Sequence, residues 1–149
     1  MWPREEVGQL VEREFLPVRV HVRDHPEAFQ ELGARYGAEW TPAILMLDPS
    51  GRERHRIEGF LPAEELVPRL EFGLGRIAFS RSAWADAEAR FRHVVDTYPD
   101  AEIAPEALYW AGVSRYKATD DGADLARTAA DLDARYPDSP SAVKASVWT

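Results

Sequence analysis

Between Glu5 and Phe15 the apolar residues Val7, Leu10, Val11 and Phe15 return at intervals of three and four, the spacing that lines one face of an α-helix. Leu16-Pro17 ends that pattern. Val18-Arg19-Val20-His21-Val22 then alternates apolar with polar and is rich in β-branched residues, which predicts a half-buried strand. Asp24-His25-Pro26-Glu27 opens a second helix with Phe29, Leu32 and Tyr36 on one face, and Gly37 closes it. Ala43-Ile44-Leu45-Met46-Leu47 is a continuous apolar run, the pattern of a strand buried on both faces. Asp48-Pro49-Ser50-Gly51 supplies turn chemistry, and Arg54 to Phe60 reads as the returning strand of a hairpin. A helix opens at Leu61-Pro62-Ala63.

From about Gly75 the strand patterns stop and alanine-rich helical spacing takes over, which places a domain boundary there. Trp84, Ala87 and Phe91 share a face of a helix ending at Tyr98-Pro99-Asp100. A second helix runs from about Ala104 to Lys117 through Leu108 and Val113, and a third spans roughly Ala123 to Tyr136. The segment repeats internally. Tyr98-Pro99-Asp100-Ala101 returns as Tyr136-Pro137-Asp138-Ser139, and the same 38-residue offset (98 to 136) carries Ala104 to Ala142, Ala107 to Ala145 and Trp110 to Trp148. In each copy proline ends one helix and aspartate is suited to cap the next.

Composition narrows the chemistry. The 149 residues fit one ordinary domain or two small ones, and 45% apolar content suffices for a packed core. With 26 acidic and 18 basic residues the formal net charge is −8, which disfavours nonspecific attraction to nucleic acid or anionic lipid. No stretch approaches a membrane span, and the start shows no basic segment followed by an apolar one, so no nucleic-acid or membrane partner and a cytoplasmic location are expected. The sequence has no cysteine and therefore offers no disulfide, thiolate metal site or thiol nucleophile.

The remaining chemical groups read as structural. His21 and His25 stand four apart across a strand and a loop, not on one helix face, so neither they nor His55 and His93 predict a metal site. Asp24 with Glu27, and Asp120 with Asp121, are explained by capping and turns. Ser50, Ser80 and Ser82 lack the strand-turn-helix setting of a nucleophile, and Gly73-Leu74-Gly75 lacks the rest of a phosphate loop. No catalytic residue, metal or cofactor is expected. Two sets remain as partner-binding candidates. Tyr109, Trp110 and Tyr116 cluster on one helix; Trp110 reads as core, while Tyr109 and Tyr116 are candidates to face a partner. Trp40, Thr41 and Pro42 precede the apolar run; either Pro42 only shapes the strand entry and Trp40 packs, or the set contacts a peptide.

Phe15-Leu16-Pro17-Val18-Arg19-Val20, Trp40 through Gly51 and Ile57-Glu58-Gly59-Phe60 together resemble the C-terminal two-thirds of a thioredoxin-like domain. The resemblance implies a cis peptide before Pro42 and a backbone there that binds extended peptides beside a redox motif. It also implies a strand and a CxxC-bearing helix start ahead of the matching part, with that strand lying between those matching Val18–Val22 and Ala43–Leu47. Unpaired backbone groups in such a slot would each cost about 1–3 kcal/mol, so either the two strands pair directly or another chain fills the gap. The C-terminal half resembles tetratricopeptide-type (TPR) repeats, of which about one and a half are present. The expected architecture is α/β followed by all-α: an incomplete thioredoxin-like sheet with helices over residues 1–74, then a TPR-like helical segment over 75–149. The expected function is non-catalytic protein interaction or self-association, through a homo-oligomer or a partner-completed sheet. The alternative is part of a thiol–disulfide oxidoreductase whose CxxC lies upstream of Met1.

Overall fold

A computed structural model describes residues 4–149. The described residues are mostly helical: α1 (Glu5–Glu14), α2 (Pro26–Tyr36), β1 (Ala43–Leu47), β2 (Glu53–Glu58), α3 (Ala63–Ser80), α4 (Trp84–Thr97), α5 (Ala104–Thr119), α6 (Gly122–Arg135) and α7 (Pro140–Ala145), closed by a short 3₁₀ turn at Ser146–Trp148. The chain forms two compact units, Met1–Val67 and Pro68–Thr149, and the division falls inside α3.

In the first unit, α1 buries Val7, Leu10 and Val11, the stripe its spacing predicts. The strand expected at Val18–Val22 does not form: these residues carry no strand, and Val18 is 82% exposed. Alternation permits a strand, but a neighbour must supply its hydrogen bonds and its cross-strand side chains. Among the described residues β1 pairs with β2 alone, in a two-stranded antiparallel sheet, and no strand pairs with this segment. The chain instead turns toward α2, with the His25 N–H donating to the His21 carbonyl at 2.8 Å. The run over β1 is also less enclosed than expected, since Met46 is buried while Leu47 is 38% exposed.

The hairpin is held at both ends. At its turn the Asp48 carboxylate accepts from the Ser50 N–H (2.9 Å) and hydroxyl (2.5 Å), the Arg52 N–H (3.1 Å) and Arg54 Nε (2.8 Å). The Ser50 hydroxyl, with the other donors, holds that carboxyl below the usual aspartate range against the opposing effect of burial. Gly51 has φ +80°, where a Cβ would be strained. On the sheet face, Arg56 pairs with Glu53 through both Nε and Nη2 at 2.7 Å and with Glu58 at 2.8 Å. It also donates to the Tyr36 carbonyl and, at 3.2 Å, to the Gly37 carbonyl. Those carbonyls end α2, where the helix has no donors of its own left. The Tyr36 hydroxyl returns the link by donating to the Gly51 carbonyl at 2.9 Å. A two-stranded sheet is marginal in isolation; these bonds tie it to α2.

The second unit is a stack of helical pairs around one core containing Phe72, Phe91, Val94, Ile103, Leu108 and Leu132. The sequence repeat is a structural repeat. Tyr98 and Tyr136 end α4 and α6 with matching backbone angles, φ −128° and ψ 56° against φ −140° and ψ 54°, and donate their N–H groups to Val94 and Leu132. Ala101 and Ser139 then close the same turn, each donating to the tyrosine carbonyl at 3.0 Å. The Tyr136 hydroxyl donates to the Pro99 carbonyl at 2.9 Å and so joins one copy to the other. A second correspondence escaped the sequence pattern. Gly75 on α3 faces Phe91 on α4, and Gly112 on α5 faces Thr128 on α6, in both cases 16 positions on (75 to 91, 112 to 128). Glycine at these places lets paired helices approach until the partner's side chain fills the missing Cβ.

Candidate functional site

The cis peptide that the resemblance implied is present between Thr41 and Pro42. The Pro42 carbonyl accepts from the Gly59 N–H at 2.8 Å, just ahead of the β1–β2 ladder. Because Ala43 lies opposite Glu58 and Ile44 opposite Ile57, that bond sets the phase of the ladder. In an antiparallel pair, inward-pointing and outward-pointing backbone groups alternate. Pro42, Ile44 and Met46 therefore point their backbone groups at β2, while those of Thr41, Ala43 and Leu45 point to the other edge, where no strand of the described residues pairs.

Trp40, Thr41 and Pro42 all lie at the surface, and Trp40 is 75% exposed. An indole left this far in water contributes little to the fold, so the option that Trp40 packs into the core does not describe it. Phe60, one residue past the Gly59 that pairs with Pro42, is 80% exposed. A hollow of about 300 Å³, lined by Phe29, Gly33, Gly37 and Glu39 among others, runs from α2 to the residue before Trp40.

Tyr109 and Tyr116 belong to the other compact unit. Tyr109 stacks on Trp148 at 4.7 Å between ring centroids and 25° between planes, and meets Trp110 edge-on at 5.7 Å. Trp110 packs against the core, edge-on to Phe79 at 5.1 Å, with the Arg76 guanidinium 4.0 Å from its ring centroid. Tyr116 is half-buried.

A polar groove of about 290 Å³ between α4, α5 and α6 was not foreseen. Arg92 Nε donates to Glu88 at 2.8 Å, and Arg115 lies 3.8 Å from Glu88 and 3.9 Å from Asp124. Asp124 is buried; it accepts from the Thr119 hydroxyl at 2.6 Å and from Arg127. The Thr119 hydroxyl first, then Arg127, hold its carboxyl below the usual aspartate range. The groove carries as many carboxylates as guanidiniums, counting Asp131 in its lining, and so neutralises itself. A carboxyl depressed in the folded state favours folding fully above its unfolded value of about 3.9 and loses that contribution as pH falls through the lower native value. Between about pH 5 and about pH 2, Asp124→Asn is therefore expected to flatten the acid limb of the thermal midpoint. An acid limb identical to the parent's would show that Asp124 carries none of it.

Among the described residues no cluster of three or more His, Cys, Asp or Glu stands close enough to hold a metal ion, and no helix is long and apolar enough to cross a membrane. No curated protein and no solved structure gives a match to the chain. The sheet edge beside a cis proline and the hairpin that follows it lie within the one segment that does match a known family. Residues 1–74 match the family model described as a thioredoxin-like domain.

Proposed function

We propose that the chain works by binding protein rather than by chemistry, with Trp40, Thr41, Pro42 and the open edge of β1 receiving an extended segment. The single observation that carries this reading is the coincidence of a strand edge with free backbone groups at Thr41, Ala43 and Leu45 and a large exposed indole at its start. Strand addition draws affinity from main-chain hydrogen bonds and selectivity from neighbouring side chains, and tryptophan is enriched among interface anchors. The cysteine-free sequence holds no thiolate to attack a disulfide. In the helical unit, read as TPR-like from its repeating Tyr-Pro-Asp turns, Tyr109 and Tyr116 are the residues assigned to a second partner contact.

A reduced and alkylated unfolded polypeptide is a suitable probe. Its binding, followed by titration calorimetry, is expected to weaken at least about tenfold in Trp40→Ala, the scale of an anchor residue. The thermal midpoint should not change, because the replaced side chain stands in solvent. Equal affinity for parent and variant sinks the reading, and no binding by either rejects an unfolded client as the partner.

A further inference from the structure

Strand edges of monomeric proteins are usually blunted by charge, by proline or by a bulge that turns the edge away. The five residues of β1, Ala43-Ile44-Leu45-Met46-Leu47, carry no charge and no proline. The irregularity in the hairpin does not protect them either. Met46 lies opposite His55 and Leu47 opposite Glu53, so the extra residue, Arg54, belongs to β2. Among the described residues no strand pairs with this apolar edge, and its two ends carry Trp40 and Leu47, both exposed in the single chain.

We infer that the segment received at this edge is β1 of a second copy, the two strands running antiparallel about a two-fold axis to make a continuous four-stranded sheet. The inference rests on the proposed binding role of the edge and names its partner. A two-fold contact must be self-complementary. Antiparallel pairing of β1 with itself places the outward groups of Ala43 against those of Leu45 in the mate, so an apolar residue meets an apolar residue throughout. A foreign strand would have to match five uncharged positions; a second copy supplies them by construction. The same arrangement brings the Trp40 end of each copy beside the Leu47 end of the other, which accounts for an exposed leucine inside a strand. Two short strands alone bury less than the roughly 1,200 Å² of a stable interface. Trp40 and Phe60 stand at the same end of the hairpin and supply further apolar area.

Sedimentation velocity between about 1 µM and about 100 µM, a range that brackets micromolar affinity, reads the result. The parent chain is expected to pass from monomer to dimer across it. Ala43→Lys sets two like charges close to the axis, and Trp40→Glu removes the exposed ring. Each is expected to raise the dimer dissociation constant at least about tenfold, with far-ultraviolet circular dichroism unchanged to show that the fold is kept. A parent chain that stays monomeric throughout, or a dimer indifferent to both substitutions, overturns the inference. A monomer that still captures the unfolded polypeptide overturns self-pairing while leaving the binding role intact; a dimer that captures none supports self-pairing and rejects an unfolded client.

Discussion

Phe91→Ala is expected to destabilise the helical unit by about 3–5 kcal/mol, the cost of emptying a large aromatic site that cannot collapse. Phe91 is fully buried, at 0% exposure, and its ring lies 5.3 Å from that of Phe72. A Cβ built on Gly75 would stand 2.6 Å from the same ring, so the ring occupies the space that the glycine leaves on α3. One side chain thus fills the join between two helices, and its removal leaves a void bounded by a glycine with nothing to move into it. Urea unfolding of the full chain reads the change as a shift in midpoint at constant slope. Phe91→Leu should fall between parent and alanine. A loss below about 1 kcal/mol would show that this site relaxes, contrary to the behaviour of a closely packed interior.

Gly112→Ala tests the second join, and its outcome runs against helix propensity. On propensity alone, replacing a glycine inside α5 with alanine would stabilise by about 1 kcal/mol. The added Cβ would meet Thr128 at 2.1 Å from Oγ1, 2.4 Å from Cγ2 and 2.6 Å from Cβ, distances at which something must shift. Thr128 is itself buried and donates from its hydroxyl to the Asp124 carbonyl at 2.8 Å, so it is poorly placed to yield. Overpacking of this kind costs about 1–3 kcal/mol, and a net loss of stability is expected. The cause is separable from any intrinsic effect of the substitution. In a Thr128→Gly background the obstructing atoms are gone, and Gly112→Ala should become neutral or stabilising, a coupling of about 0.5–3 kcal/mol in a double-mutant cycle. An equal loss in both backgrounds would show that contact with Thr128 is not what requires the glycine.

Local pattern was a good guide wherever an element closes its own hydrogen bonds. The helical stripe of Val7, Leu10 and Val11 is buried as its spacing requires, and Gly37 ends α2 in the left-handed conformation that glycine favours. The 38-residue repeat reappears as paired turns at Tyr98 and Tyr136 because proline acts within a few positions of itself, whereas the expected aspartate caps do not form: α5 has Ile103 at its N-cap without a side-chain bond, and Ser139 caps α7. Val18–Val22 failed for the converse reason. Its alternation is as good as that of any strand in the chain, but a strand is half of a pair, and the other half is not among the described residues.

The candidate site was legible in part. Trp40, Thr41 and Pro42 stood out as a motif, and the resemblance carried the cis geometry. That β1 keeps one edge open, that Trp40 stands in water, and that Tyr109 is stacked on Trp148 depend on which segments meet in space. The role of Arg56 is of the same kind: nothing next to it in sequence marks an arginine that gathers two glutamates and the carbonyl end of a helix.

By itself, the sequence determined α1, α2, α4, α5 and α6, the hairpin and its turn, and the internal repeat, because each follows from residues within a turn or two of one another or from a repeated motif. Tertiary structure decided that Gly75 and Gly112 are packing sites and that the strand expected at Val18–Val22 does not form. These depend on distances between residues far apart in the chain, where each contact is set by the packing of whole elements and not by the identity of the residue that makes it.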